Sequence, residues 1–184
     1  LVEGWHWEPR GYVLFTSKAD WVSGEDDNGV SNVFVRDTVT DTTTLVSRAS
    51  GAAGAPSNGD SVAGGISADG RKVVFVSAGT NLNPPHTTAE VYVRDLVTNG
   101  TVQVSPLDSN AAGSEVLDGV SRARISADGS KVVFETLGAI DPQDSGFTQD
   151  AYVANADGTG SPVWVNRSSA GAAGNGESLA SGID

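Results

Sequence analysis

The residues best suited to chemistry in this chain are carboxylates gathered in stretches that read as loops. Glu25-Asp26-Asp27-Asn28-Gly29 forms one group, and Asp141 and Asp144 form a second, followed by Asp150. Calcium takes roughly six to eight oxygen ligands from carboxylates, side-chain amides and backbone carbonyls. Asp26, Asp27, Asn28, Asp141 and Asp144 are therefore the candidate metal ligands. Solvated loop acids account for the same residues, and the spacing lacks the distal glutamate of a complete calcium loop. Trp5, Trp7 and Trp21 cluster near the start of the chain. At period two, Trp5 and Trp7 share one strand face and His6 takes the other. Such aromatic surfaces either stack on sugar rings or fill the core between sheets. Trp5, Trp7 and Trp21, with His86 from a separate loop, are the candidate ligand-binding residues.

Signatures of known catalytic machinery are missing from the sequence. There is no G-x-S-x-G elbow, no H-E-x-x-H, no phosphate-cradling G-x-x-x-x-G-K and no dinucleotide fingerprint. Loop acids on different structural units could still supply a carboxylate pair for glycoside chemistry. With 23 acids against 11 bases the net charge is −12, which disfavours nucleic acid and anionic membrane as partners. No apolar run reaches the roughly 20 residues that span a bilayer. The absence of cysteine excludes disulfides and thiolate metal sites. Asn99-Gly-Thr101 and Asn166-Arg-Ser168 match the glycosylation acceptor pattern, at a frequency near chance for a Ser/Thr-rich chain. With Leu1 first, no visible signal peptide and no methionine anywhere, the sequence reads as a processed or partial chain.

These residues are positioned by a repeat. S-A-D-G-(R/S)-K-V-V-F begins at Ser67 and again at Ser126, and Phe15, Phe75 and Phe134 mark the same phase in three units. Val33-Phe34-Val35-Arg36-Asp37 recurs as Val91-Tyr92-Val93-Arg94-Asp95, and more loosely from Ala151 to Asn155. A fixed period of this kind decides the architecture. In the second unit four β-type segments are expected at 61–66, 72–76, 90–94 and 101–105, rich in Val, Ile, Phe and Tyr. Asp69-Gly70, Asp128-Gly129, Asn99-Gly100 and Asp157-Gly158 are turn dipeptides. No stretch has helical periodicity, so the expected class is all-β.

Four antiparallel strands per repeat, stacked without helices, make a propeller blade. The units run about 1–59, 60–118 and 119–177 within a single segment, with first strands at 1–7, 61–67 and 120–126. Residues 178–184 then open a further first strand. Because three blades do not close a ring, the expectation is part of a six- to eight-bladed ring, or a ring of two copies in which each extra strand completes a blade of its partner. Antiparallel connectivity puts the short turns at one end and the long segments 16–31, 48–60, 77–89, 106–118, 135–149 and 167–177 at the other, the expected ligand face. Arg36-Asp37 and Arg94-Asp95 end the third strands. Neighbours on a strand point to opposite faces, so each Asp is expected to cap its turn or pair with the adjacent hairpin.

The S-A-D-G-R-K-V-V-F hairpin, the loop with Asn81-Leu82 and Pro84, then V-Y-V-R-D-L and T-V-Q-V-S resemble the TolB-type, WD-like propeller repeat. The resemblance covers nearly the whole chain. Unit one departs from it with Glu8-Pro9-Arg10-Gly11 in place of S-A-D-G, and unit three with Val153-Ala154-Asn155 in place of V-R-D. The resemblance implies a six- or seven-bladed propeller in a secreted, periplasmic or cell-surface protein, acting as a protein-binding or scaffold module. Some relatives carry the fold beside a hydrolase domain or degrade polysaccharides. The reading is thus a non-enzymatic binding module with a protein or glycan ligand. The alternatives are a carbohydrate-active enzyme using loop carboxylates, or a structural subunit assembling through its open blade edges.

Overall fold

The computed structural model describes residues 11–26, 28–82, 89–106, 123–144, 148–174, 176 and 178–184. Eleven strands run through them: β1 (Tyr12–Ser17), β2 (Asn32–Asp37), β3 (Thr42–Leu45), β4 (Ser61–Ile66), β5 (Lys72–Ser77), β6 (Glu90–Asp95), β7 (Gly100–Gln103), β8 (Ala123–Ile125), β9 (Lys131–Thr136), β10 (Asp150–Asn155) and β11 (Val163–Trp164). They form three antiparallel meanders, β1-β2-β3, β4-β5-β6-β7 and β8-β9-β10-β11. The chain is all-β, built of propeller-type blades, and the four strands expected in the second unit are those observed, within two residues at each end.

The repeat becomes a register. Phe15 pairs with Phe34, Phe75 with Tyr92 and Phe134 with Tyr152, with the rings stacked at 5.4, 5.5 and 6.1 Å between centroids. Alternation then sorts the middle sheet. Val73, Phe75 and Tyr92 face the first sheet, where they meet Val33, Val35 and Val46. Val74, Val76, Val91 and Val93 face the third, where they meet Ala123, Ile125, Phe134, Tyr152 and Trp164. The continuous apolar runs of β5 and β6 follow from a sheet covered on both sides. Each such side chain contributes about 1.5–3 kcal/mol by leaving water.

Residues 178–184 belong to none of the three sheets among the described residues. The observed first strand of unit three is only Ala123–Ile125, with 120–122 outside the described residues, as is the whole first strand expected at 1–7. One expectation is corrected: the segment after β3 does not stay at the long-loop end. Arg48 bridges Pro56 in an antiparallel hairpin, and its tip places Gly51 N 2.7 Å from Asn99 O in the β6–β7 turn. Ser50 Oγ donates to Thr101 O at 2.9 Å and accepts from Thr101 N at 2.9 Å. The hairpin thus satisfies backbone groups on the outer edge strand β7, which would otherwise be open to pairing.

The S-A-D-G turns do two jobs. Ser67 Oγ donates to Asp69 Oδ1 at 2.5 Å and accepts from Lys72 N at 2.9 Å; Ser126 repeats the pattern with Asp128 and Lys131. Gly70 holds φ at 72°, and a Cβ there would lie 2.0 Å from the Tyr12 ring of the first sheet. The turn glycine therefore also seats one blade on the next. Gly70→Ala is expected to cost about 1–3 kcal/mol, from positive φ together with the clash. Denaturant melts of the two proteins measure it, and unchanged stability would refute the seating role.

Candidate functional site

At the long-loop end Trp21 is 55% exposed. Its loop is held by Asp26, a buried carboxylate that accepts from Trp21 N at 2.7 Å and Val22 N at 3.1 Å. The Trp21 ring meets Phe15 edge-on at 5.9 Å. Glu25 pairs with the nearly buried Arg48 at 2.6 Å, fixing this loop to the following hairpin. Asn28 donates to Ser57 O at 2.8 Å and accepts from Val30 N and Asn32 Nδ2. Asp26 and Asn28, read as candidate metal ligands, thus direct their oxygens to protein donors. Asp27, Trp5, Trp7 and His86 lie outside the described residues.

The second candidate group is similarly engaged. Asp141 accepts from Gln143 N at 2.8 Å and lies 3.7 Å from Arg167. Buried Asp144 accepts from the Tyr152 hydroxyl at 2.9 Å. Burial, with Asp144 alongside, pushes the Tyr152 phenol up to about 12. Among the described residues no three His, Asp or Glu side chains come together as a metal cluster. The structure does not bring Trp21, Asp26 and Asn28 together with Asp141 and Asp144, which sit on the first and third units. A recess of about 500 Å³ beside the third unit is lined mostly by Pro106, Ile140, Pro142 and Pro162, with Asp141 its one carboxylate.

The structure also shows polar positions that the sequence reading passed over. One recurs in all three units. Asn32 accepts from Ser47 Oγ at 2.9 Å, Glu90 from Ser105 Oγ, and Asp150 from Asn166 Nδ2 at 2.5 Å. In each unit the second partner also accepts from the next backbone amide, at Val33, Val91 or Ala151. This clamp ties the start of the third strand to the chain leaving the fourth. Its signal was present as a polar residue directly before V-F-V, V-Y-V and A-Y-V. Both glycosylation patterns fall on engaged side chains: Asn166 in this clamp, and Asn99 Oδ1 accepting from Arg94.

Arg94 is the other. It is 2% exposed and reaches the hairpin after β3, donating to Ala49 O and Gly51 O at 3.1 Å each, to Asn99 O at 3.2 Å and to Thr101 Oγ1 at 2.9 Å. Burial first, then repulsion from Arg48, lowers its guanidinium to about 10. The equivalent Arg36 instead pairs locally with Asp41 and Thr43. Neither arginine bonds the aspartate beside it. Asp37 and Asp95 cap their turns through Val39 and Thr40, and Val97 and Thr98, and Asp95 also pairs with Arg71 at 2.8 Å. Burial alone would raise the Asp95 carboxyl; the Arg71 guanidinium and the two turn amides overcome it and hold the group at about 2. The Ser126 hydroxyl and Ser130 amide hold Asp128 at about 2.

No known protein-family profile matches this sequence, and no curated protein matches it. Among solved structures, a putative TolB from Agrobacterium tumefaciens is similar at a TM-score of 0.49 and 12% identity, over 82% of this chain and 41% of that one. TolB from Acinetobacter baumannii gives 0.46 and 17%, over 85% of this chain and 31% of that one. The chain spans less than half the length of either structure. The assignment to propeller-type blades rests on the register and packing described above.

Arg94→Met leaves several buried carbonyls without a donor, and its expected cost is about 3 kcal/mol. Chemical denaturation checks this, and a loss below what Arg36→Met produces would refute the role of Arg94 in holding the hairpin. Depressed carboxyl groups stabilise the fold above the unfolded-state value of about 3.9 and lose that contribution as pH falls towards 2. The melting temperature is therefore expected to stay level from pH 7 to pH 5 and to fall between about pH 4 and pH 2, with a smaller fall in Asp95→Asn. Thermal melts across that range test the window.

Proposed function

We propose that this chain is a non-enzymatic binding or scaffold module of a secreted, periplasmic or cell-surface protein, with a protein or glycan ligand at its long-loop end. The observation that carries this reading is Trp21, an exposed aromatic on a loop fixed by the buried Asp26 carboxylate. A large apolar ring held in place before a partner arrives binds with little ordering cost. Its indole face suits a sugar ring or an apolar side chain. The carboxylates around it accept hydrogen bonds from the protein itself, which favours adhesion over acid–base chemistry. The resemblance of the repeat to TolB-type blades agrees with a binding role, and fold alone fixes no reaction.

The second reading, a carbohydrate-active enzyme, draws on the same exposed aromatic and on acids in different units. A panel of neutral and acidic oligosaccharides, assayed for binding and for release of reducing ends, separates the two. The expected result is binding without hydrolysis, weakened roughly tenfold or more in Trp21→Ala. Hydrolysis abolished by a single loop carboxylate substitution would establish the enzyme instead. If no oligosaccharide binds, the ligand is a protein, and a Trp21→Ala variant then loses capture of that partner.

A further inference from the structure

Arg36 and Arg94 hold the same place in the first and second units, and each reaches the residue five positions further on, Asp41 or Asn99. Both target residues have left-handed backbone, with φ at 58° and 59°. In the first unit the contact is guanidinium to carboxylate. In the second it is guanidinium to amide, with Asn99 Oδ1 accepting from Arg94 Nη2 at 3.2 Å. The counter-ion therefore sits where it is needed less. Asp41 is exposed and serves a partly exposed Arg36, while Arg94 is 2% exposed and has only carbonyl, amide and hydroxyl oxygens around it. Its Nε has no acceptor among the described residues, and the neighbouring Asp95 is turned to Arg71. A buried guanidinium without a carboxylate is costly.

Asn99 is followed by Gly100. An Asn-Gly bond is open to intramolecular deamidation, because no side chain shields the glycine nitrogen from the asparagine Cγ. Gly100 is the first residue of β7 and pairs with Asp95 at the end of the ladder, so fraying of that one pair releases its nitrogen. Asn28-Gly29 and Asn58-Gly59 are further Asn-Gly pairs among the described residues. The Asn28 amide oxygen accepts from Val30 N and Asn32 Nδ2, and that of Asn58 from Thr80 N. Those donors are neutral, whereas the Asn99 amide oxygen faces a cation. A guanidinium at Oδ1 draws electron density from Cγ and stabilises the negative charge that grows on the oxygen during attack.

We propose that Asn99 is a self-modification site, which loses its side-chain nitrogen and becomes the aspartate that pairs with Arg94. The Gly100 nitrogen attacks Asn99 Cγ. A C–N bond forms, the Cγ–Nδ2 bond breaks, and the proton shed by Gly100 ends on the departing ammonia. Water then opens the cyclic imide. Addition at Cγ breaks the new bond and leaves aspartate in an unaltered backbone. Addition at the main-chain carbonyl leaves isoaspartate, with the backbone rerouted through the side chain. Arg94 activates Cγ in both steps, which directs water there and makes aspartate the product. Aspartate also keeps the contacts of the Asn99 carbonyl, which accepts from Gly51 N at 2.7 Å and Arg94 Nη1 at 3.2 Å, whereas isoaspartate would displace it. The product carries the residue type and φ that the first unit has at Asp41.

The test is incubation of the folded protein near neutral pH, beside the same chain unfolded in guanidinium chloride. Peptide mapping by mass spectrometry reads amide loss at each asparagine, and chromatography against synthetic standards separates aspartate from isoaspartate. The expected result is conversion of Asn99 in the folded protein with aspartate in excess, against isoaspartate in excess in the unfolded chain. Arg94→Met is expected to slow the conversion roughly tenfold or more. Asn99→Asp is expected to raise the denaturation midpoint when Arg94 is present and to give no rise in the Arg94→Met background. An Asn99 that keeps its amide while the unfolded chain loses it overturns the proposal, as does isoaspartate in excess in the folded protein or an unchanged rate in Arg94→Met. No gain from Asn99→Asp, or the same gain without Arg94, overturns the pairing. If Arg94→Met does not fold, the product ratio and the Asn99→Asp midpoint in the otherwise unaltered chain decide.

Discussion

The middle sheet buries both of its faces, and this double burial is the constraint on which the rest of the molecule depends. Val73, Phe75 and Tyr92 point one way, and Val74, Val76, Val91 and Val93 the other; each is at most 2% exposed. A sheet of this composition has no solvated side, so it is stable only between two others. The neighbouring sheets must then offer matching apolar faces, which fixes their strand phase and makes the same phenylalanine recur in each unit. It also makes each unit dependent on the next, since one blade cannot bury its own faces.

Close stacking forces polar backbone ends into protected surroundings, and buried polar groups must find partners. The chain meets this with one arrangement in three chemical versions: amide with hydroxyl in the first unit, carboxylate with hydroxyl in the second, and carboxylate with amide in the third. Geometry is kept while charge varies. The outer edge strand meets the same requirement differently, through the folded-back hairpin and the buried Arg94. That arginine has carbonyl and hydroxyl acceptors where a carboxylate would be expected, and a guanidinium can serve several such acceptors at once because its donors are spread in a plane.

The same economy of partners shapes the functional reading. Carboxylates that look available in sequence are hydrogen-bonded to the loops that carry them, so they shape the surface and leave Trp21 as its exposed aromatic feature. In the proposed reading, the rigid blade scaffold presents this fixed aromatic for recognition.

Much of this was legible in the residues. The spacing of Phe15, Phe75 and Phe134, the D-G turns and the V-Y-V-R-D segments determined the class, the unit length and, within two residues at each end, the strands of the second unit, because period-two alternation and turn chemistry are local. The turn-capping roles of Asp37 and Asp95 were equally local. Tertiary structure decided the rest. Arg36 and Arg94 have the same sequence neighbours, yet one stays at its own turn and the other crosses to the preceding connection, because only packed blades place Ala49 and Gly51 within reach. Asp26 and Asn28 could be read as ligands until their loop partners were known. Residues 178–184 repeat the sequence of β4 but lie in none of the sheets among the described residues, since a strand exists only where another supplies its hydrogen bonds.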